Sequence, residues 1–174
     1  MAFAQVLKSY PDATLAVTGK SCIPATFKER LRQEGYQRYL EKLIHRYGLE
    51  DKVEFLGSLS AEQMKENYLK SNVFVLPSTI ENSPNSLGEA MLLGVPCVAS
   101  DVGGVSDMMT HDLEGYIYPS TAPYMLAHYI TEIFEVHGSL AEEMGARAQK
   151  HAQFTHHASE NLRVLMDIYL DLMQ

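Results

Sequence analysis

Short apolar runs alternate with longer segments of helical periodicity along most of the chain, and this alternation limits the possible folds more than any other feature. The runs, rich in β-branched and aromatic residues, are residues 14–18, 53–56, 73–76, 96–99 and, more weakly, 115–118. The main helical segments between them are residues 26–47, 61–70 and 84–93. Segments of that length can return the chain to the start of a neighbouring parallel strand. The sequence therefore predicts an α/β fold: a Rossmann-like, three-layer domain with a mainly parallel sheet.

Several helix ends are visible in the sequence. Ser60 and Gln63 have the spacing of a capping box, and Gly48 is placed to end the helix predicted over residues 26–47. The first residues already follow helical spacing, so we expect the chain to begin inside an element. Residues 123–174 are predicted to be helical with breaks near residues 138–139 and 154–155. The last of these helices has an apolar stripe, which we expect to close the domain: Leu162, Leu165, Met166, Tyr169 and Leu170.

Composition excludes several classes of protein. The chain has 174 residues, 46% of them hydrophobic, which suits one ordinary globular domain over residues 1–174. Its formal net charge of −8 disfavours binding to nucleic acid, although backbone amides can still bind a small anion locally. We find no apolar run long enough to cross a membrane and no signal peptide, and Cys22 and Cys97 form no metal-binding or disulfide pattern. We therefore expect a cytoplasmic chain without membrane insertion.

Four partial motifs do not support other chemistries. Residues 19–21 end like a phosphate-binding P-loop, but Thr14 stands where that loop needs glycine. Residues 104–108 lack the second glycine of a nucleophile elbow, and no GxGxxG fingerprint follows the first strand. His151, His156 and His157 are not spaced to bind one metal from a helix face. The sequence therefore predicts no metal site, no nucleoside triphosphatase and no hydride-transfer enzyme.

Residues 73–104 contain a strand, a loop, a helix, a second strand and a glycine pair, with Glu81 in the loop and Glu89 in the helix. If Ser83 is the N-cap and Pro84 the first helical residue, the next three amides are free to bind a phosphate. These are the amides of Asn85, Ser86 and Leu87. Glu89 would then lie about 6 Å further along the same face, within reach of an attached ribose.

A structural interpretation of the same residues is equally compatible with the spacing. If Ser86 is the N-cap, Ser86 and Glu89 form a capping box, and Glu89 only stabilises the start of the helix. Glu81, taken alone, is typical of a solvated loop acid. Spacing does not distinguish these interpretations.

The segment from Glu81 to Glu89, continued by Ala90, Met91 and residues 94–104 (GVPCVASDVGG), resembles the E-x7-E region of family 4 retaining glycosyltransferases, also called group 1 transferases of GT-B fold. Residues 11–19, 53–57, 73–78 and 115–119 match the C-terminal domain of that family in order and spacing. The resemblance covers nearly the whole chain.

The resemblance implies that this chain is the half of the enzyme that binds a nucleotide-sugar donor, a UDP- or GDP-sugar, without a metal or other cofactor. It implies that Glu89 holds the ribose, that Glu81 contacts the transferred sugar near its reacting carbon, and that the amides of residues 85–87 receive the diphosphate. It also assigns Gly19 and the backbone around Glu54 and Phe55 to the donor, with the latter two facing the base.

The same resemblance implies what else the protein needs. The family usually has glycine where Asn82 and Pro84 stand and phenylalanine near Ser83, a variation that resembles transferases of surface-polysaccharide assembly. The family's first strand, with its basic diphosphate ligands, and its N-terminal acceptor domain would both precede residue 1. We therefore expect an excised domain, inactive by itself and monomeric, from a parent at the inner face of the membrane.

Two alternatives from other classes remain open. The chain could be a nucleotide or sugar-phosphate binding module, or a regulatory subunit that pairs with a catalytic chain. It could also be an α/β scaffold that presents an acidic face to a protein partner, which predicts no nucleotide binding.

Overall fold

A computed structural model describes residues 1–24, 26–135 and 139–173. In chain order its elements are α1 (Ala2–Ser9), β1 (Leu15–Thr18), α2 (Phe27–Arg32), α3 (Gly35–Arg46), β2 (Val53–Gly57), α4 (Ala61–Lys70), β3 (Phe74–Leu76), α5 (Asn85–Leu92), β4 (Cys97–Ser100), α6 (Val105–Met108), β5 (Tyr116–Tyr118), α7 (Pro123–Glu135), α8 (Ser139–Thr155) and α9 (Ala158–Leu172). The five predicted strands are therefore present. All their observed pairings are parallel, which confirms the predicted α/β class.

The strands pair in two groups rather than in the single sheet expected from the sequence. β1 pairs with β2, and β3, β4 and β5 form a three-stranded sheet in that order. Each group belongs to one of two compact units, Met1–Asn67 and Tyr68–Gln174. Apolar runs predict that strands form, but they do not specify which strands share hydrogen bonds, so this division was not visible in the sequence.

The first unit has a core of Cys22, Ile44 and Leu49. Gly48, at φ 62°, ends α3 as predicted, because it lets the amide of Leu49 donate to the carbonyl of Ile44 at 2.9 Å. The single helix predicted over residues 26–47 is wrong: α2 and α3 are separate. Glu34 begins α3 with its own capping box, so a new helix starts where the periodicity suggested continuation.

The second unit is built around β4, whose four residues are all buried between β3 and β5. Helix α8 packs closely against the turn that follows α5. The backbones approach so near that a Cβ at Gly145 would overlap the carbonyl oxygen of Gly94. The side-chain amide of Gln149 also donates to the carbonyl of Leu92 at 2.9 Å. The C-terminal end of α5 and the turn that follows it are therefore packed against α8.

The C-terminal helix corrects another expectation. The stripe on α9 does form, but it is not covered by the described residues: Leu162, Leu165, Met166, Tyr169 and Leu170 are 47–59% exposed. The predicted role of this helix in closing the domain is wrong in this structure. Periodicity predicts which face is apolar, not which surface covers it. The predicted break near residues 138–139 adjoins residues outside the described ranges, and the break after Thr155 is confirmed.

Across residues 1–24, 26–135 and 139–173, we find no helix with the length and apolar character required to cross a bilayer.

Candidate active site

Glu81 lies in the loop that follows β3, where Ser78 bonds its carboxylate and Ser100, at the end of β4, in turn bonds Ser78. The hydroxyl of Ser78 donates a 2.6 Å hydrogen bond to Oε1 of Glu81. Ser100, fully buried at the end of β4, donates at 2.6 Å to the carbonyl oxygen of Ser78. Hydrogen bonds to a carboxylate are stronger than neutral ones, so Glu81 has a defined orientation although it is only half-buried.

The glycine pair 103–104 fixes the backbone of the same loop. The amide of Gly104 donates to the carbonyl of Asn82 at 2.7 Å. Gly103 has φ 55°, and a Cβ there would overlap the carbonyl oxygen of Glu81 and come within 2.9 Å of that of Asn82. Only glycine tolerates both this backbone conformation and this approach. The loop that carries Glu81 is thus held by the hydroxyl bonds of Ser78 and Ser100 and by backbone contacts with Gly103 and Gly104.

Helix α5 begins one residue later than the sequence predicts. Pro84, not Ser83, is the N-cap, and the amide of Leu87 donates to the carbonyl of Pro84 at 3.0 Å. The prediction of a free amide at Leu87 is therefore wrong. Proline can stand at the N-cap or at the first helical position, so the sequence did not distinguish these two starts of the helix. In the described part of the chain, the amides of Asn85 and Ser86 have no protein acceptor. These two amides remain available to an anion at the positive end of the helix.

Glu89 lies inside α5 and does not cap it. Because Ser86 is already helical, the capping box with Glu89 does not form. The Glu89 side chain is exposed, one turn after Asn85 on the same face of the helix. The hydroxyl of Tyr68 lies 3.4 Å from Oε2 of Glu89 and 3.3 Å from the carbonyl oxygen of Ser86. An exposed carboxylate with one oxygen contacted by a buried phenol can accept further hydrogen bonds from a ligand.

Tyr68, Ser78 and Ser100 were not identified as site residues from the sequence. Tyr68 contacts Glu89 across 21 residues and Ser100 contacts Ser78 across 22, so no local motif contains either pair. The position of Ser78, just beyond an apolar run and three residues before an acid, was the only available signal.

The remaining predicted site residues belong to the first unit. Gly19 follows β1 at φ 100°, and its amide donates to the carbonyl of Gly57 at 2.8 Å. Glu54 is exposed on β2, whereas the side chain of Phe55 packs against the core of the first unit. The assignment of Gly19, Glu54 and Phe55 to a ligand stays a prediction.

Other polar groups of the second unit have structural partners. His151 contacts Oε2 of Glu114 at 2.9 Å, and the amide of Thr110 donates to the same oxygen at 2.8 Å. Burial raises the pKa of Glu114, but the bonds from His151 and Thr110 outweigh it, and the pKa lies below its usual value. Within the described ranges, no three His, Cys, Asp or Glu side chains are grouped as metal ligands.

The family model for "Glycosyl transferases group 1" matches residues 1–151. The chain therefore belongs to the group 1 glycosyl transferase family, as the resemblance around Glu81 and Glu89 indicated, and corresponds to the C-terminal domain of such enzymes.

Relatives and solved structures agree with this assignment. The chain is 38% identical over 82 residues to a glycosyltransferase of Methanocaldococcus jannaschii, covering 47% of this chain and 21% of that protein. It is 28% identical over 116 residues to the amylovoran biosynthesis glycosyltransferase AmsK of Erwinia amylovora, covering 63% and 28%. The fold matches that of Anabaena HepE, solved with UDP, at a TM-score of 0.74, 24% identity, and 94% and 44% coverage. The chain thus spans less than half the length of each of these proteins.

Proposed function

We propose that this chain is the donor-binding half of a retaining glycosyltransferase of family 4, which moves a sugar from a nucleotide-sugar to an acceptor. The observation that carries the proposal is the arrangement at the start of α5. Two amides without a protein acceptor, at Asn85 and Ser86, lie one turn from the exposed carboxylate of Glu89. A diphosphate on the amides would bring its ribose hydroxyls towards Glu89, which can accept from both.

This arrangement suits the departure of a nucleoside diphosphate. When the bond between the sugar and the diphosphate breaks, negative charge grows on the phosphate oxygens. Two amides and the positive end of a helix already oriented towards those oxygens stabilise them more in the transition state than in the bound donor. The donor we expect is a UDP- or GDP-sugar, and HepE, which shares the fold, was solved with UDP. The proposed charge stabilisation requires no metal ligands from this chain.

Glu81 is the proposed catalytic residue. As the leaving group departs, positive charge develops on the sugar ring. The carboxylate of Glu81 would stabilise this charge from the face of the ring that the acceptor attacks. The 2.6 Å bond from Ser78 keeps that carboxylate oriented before the reaction starts, which makes the stabilisation effective. We assign no covalent intermediate to Glu81.

The rest of the enzyme would come from a longer chain. Because this chain spans 21% and 28% of the two relatives described above, we infer that a preceding domain binds the acceptor and that the chain alone is inactive. The relative from Erwinia amylovora acts in amylovoran biosynthesis, which favours a hexosyltransferase of surface-polysaccharide assembly. We infer a monomeric, cytoplasmic parent, working at the inner face of the membrane.

Isothermal titration of the full-length protein with UDP and GDP tests the donor site. Glu89→Ala should weaken nucleoside-diphosphate binding roughly 10- to 100-fold through loss of charge-assisted hydrogen bonds to the ribose. Glu62→Ala, an exposed acid in the first turn of α4, is the control and should bind as the wild type does. Unchanged binding in Glu89→Ala would refute the ribose assignment.

Turnover measurements test the role of Glu81. Glu81→Ala in the full-length protein should lower kcat by about 100-fold or more while changing the donor Kd by less than about threefold, because the residue acts mainly in the transition state. Intact donor binding without transfer or donor hydrolysis in the wild type would instead support a non-catalytic binding module. Absence of any nucleotide binding would support the scaffold alternative.

A further inference from the structure

Tyr68 is a buried phenol whose hydroxyl contacts the helix α5 of the candidate site. The residue lies in the last turn of α4 and is only 5% exposed. Its ring meets Phe74 of β3 edge to face, with centroids 5.5 Å apart. Its hydroxyl lies 3.3 Å from the carbonyl oxygen of Ser86 and 3.4 Å from Oε2 of Glu89. Both polar contacts are with the first two turns of α5.

Packing alone does not account for the hydroxyl. A phenylalanine at position 68 would keep the contact with Phe74 and would bury no polar group. A tyrosine hydroxyl that is buried needs a hydrogen-bond partner, and both partners here belong to the helix that carries the candidate site. The carbonyl of Ser86 lies within α5 and can accept from the helix as well, so the single phenolic proton can be directed to Glu89.

The surroundings keep this proton on the phenol. Burial, together with the negative charge of Glu89 and the hydrogen bond to it, raises the pKa of Tyr68 to about 12. The hydroxyl is therefore a donor throughout the neutral pH range. Glu89, in contrast, is exposed, and its flexible side chain would otherwise sample several rotamers.

We propose that Tyr68 is a positioning residue that holds one carboxylate oxygen of Glu89, so that the carboxylate is presented to the ribose hydroxyls of the donor. This inference rests on the proposed function, because it requires Glu89 to bind the ribose. With Oε2 held by the phenol, Oε1 and the remaining lone pairs accept from the ligand. The gain is pre-organisation: less side-chain freedom is lost when the nucleotide binds.

Titration of the full-length protein with a matched pair of nucleotides tests the inference. The probes are UDP or GDP, whichever the wild type binds more tightly, and the 2′,3′-dideoxy analogue of the same nucleotide, which lacks both ribose hydroxyls. Tyr68→Phe should weaken binding of the ribonucleotide about 3- to 10-fold and leave binding of the dideoxy analogue unchanged. Tyr118→Phe removes a hydroxyl from an equally buried tyrosine of β5 and should change neither.

A double-mutant cycle with Glu89→Ala separates the possible outcomes. If Tyr68 acts through Glu89, Tyr68→Phe should cause no further loss in the Glu89→Ala background. Equal weakening of both nucleotides by Tyr68→Phe would indicate a packing role and overturn the inference, as would unchanged binding of the ribonucleotide. In both cases a weakened Glu89→Ala variant would leave the proposed function intact. If Glu89→Ala binds the ribonucleotide as the wild type does, the ribose assignment of Glu89 in the proposed function fails, and this inference fails with it.

Discussion

Replacement of Gly103 by alanine tests whether the backbone holds Glu81 in place as the structure indicates. Gly103 has φ 55°, a conformation that costs an L-residue roughly 1–2 kcal/mol. The new Cβ would also stand 2.7 Å from the carbonyl carbon of Glu81, where ordinary contacts begin near 3.4 Å. The loop would have to move by at least about 0.7 Å, the difference between these two distances, because the overlap with the carbonyl oxygen of Glu81 is larger still. Overpacking of this kind costs about 1–3 kcal/mol, so the total expected loss is about 2–5 kcal/mol.

Gly94→Ala is the matched control for this substitution. Gly94 lies in the same compact unit and has φ 72°, but its Cβ would meet neighbours only at 3.7–3.8 Å, which is normal contact. The control therefore carries the conformational cost without the overlap, about 1–2 kcal/mol.

Urea unfolding followed by circular dichroism gives both free energies of unfolding, and turnover of the full-length protein reports the position of Glu81. Gly103→Ala should be the less stable variant by about 1–3 kcal/mol and should lose turnover that Gly94→Ala retains. Equal destabilisation by the two substitutions would refute the proposed packing of the loop against Gly103.

Three further substitutions probe the second unit. Burial alone would raise the pKa of Glu114, but the bonds from His151 and Thr110 together lower it. The stabilisation is therefore present above the unfolded pKa of about 4.3 and is lost as the pH falls through the folded pKa. Glu114→Gln should therefore cost about 1–2 kcal/mol at pH 7 in thermal or urea unfolding, and the same cost at pH 3 would contradict this assignment. Leu165→Ser, on exposed α9, should change the free energy of unfolding by less than about 0.5 kcal/mol, whereas a loss above 2 kcal/mol would mean that the helix is packed. Ser78→Ala should lower kcat about tenfold and change the donor Kd little, because it removes the hydrogen bond that orients Glu81. An unchanged kcat would show that this hydrogen bond does not contribute to turnover.

The strands were predictable because each is a short apolar run that pairs in parallel, although among them only β4 is buried along its whole length. Such strands consist of continuous β-branched and aromatic runs, so each observed strand lies within one residue of its predicted bounds. The pairing of β1 with β2, separate from the sheet of β3, β4 and β5, was not predictable, because hydrogen-bond partners are chosen by tertiary contacts.

The candidate site was partly predictable for a similar reason. Glu81 and Glu89 belong to one continuous segment, so their placement after β3 and within α5 followed from local patterns. The start of α5 was misplaced by one residue because Pro84 can stand at the N-cap or at the first helical position. The supporting hydroxyls of Tyr68 and Ser100 depend on contacts between distant segments.

A crystal structure of the full-length protein with its nucleotide-sugar tests the central claim most directly. The account predicts a donor phosphate within hydrogen-bond distance of the amides of Asn85 and Ser86, and ribose hydroxyls on the carboxylate of Glu89. A nucleotide bound away from the start of α5, with Glu89 making no contact to the ribose, would contradict it.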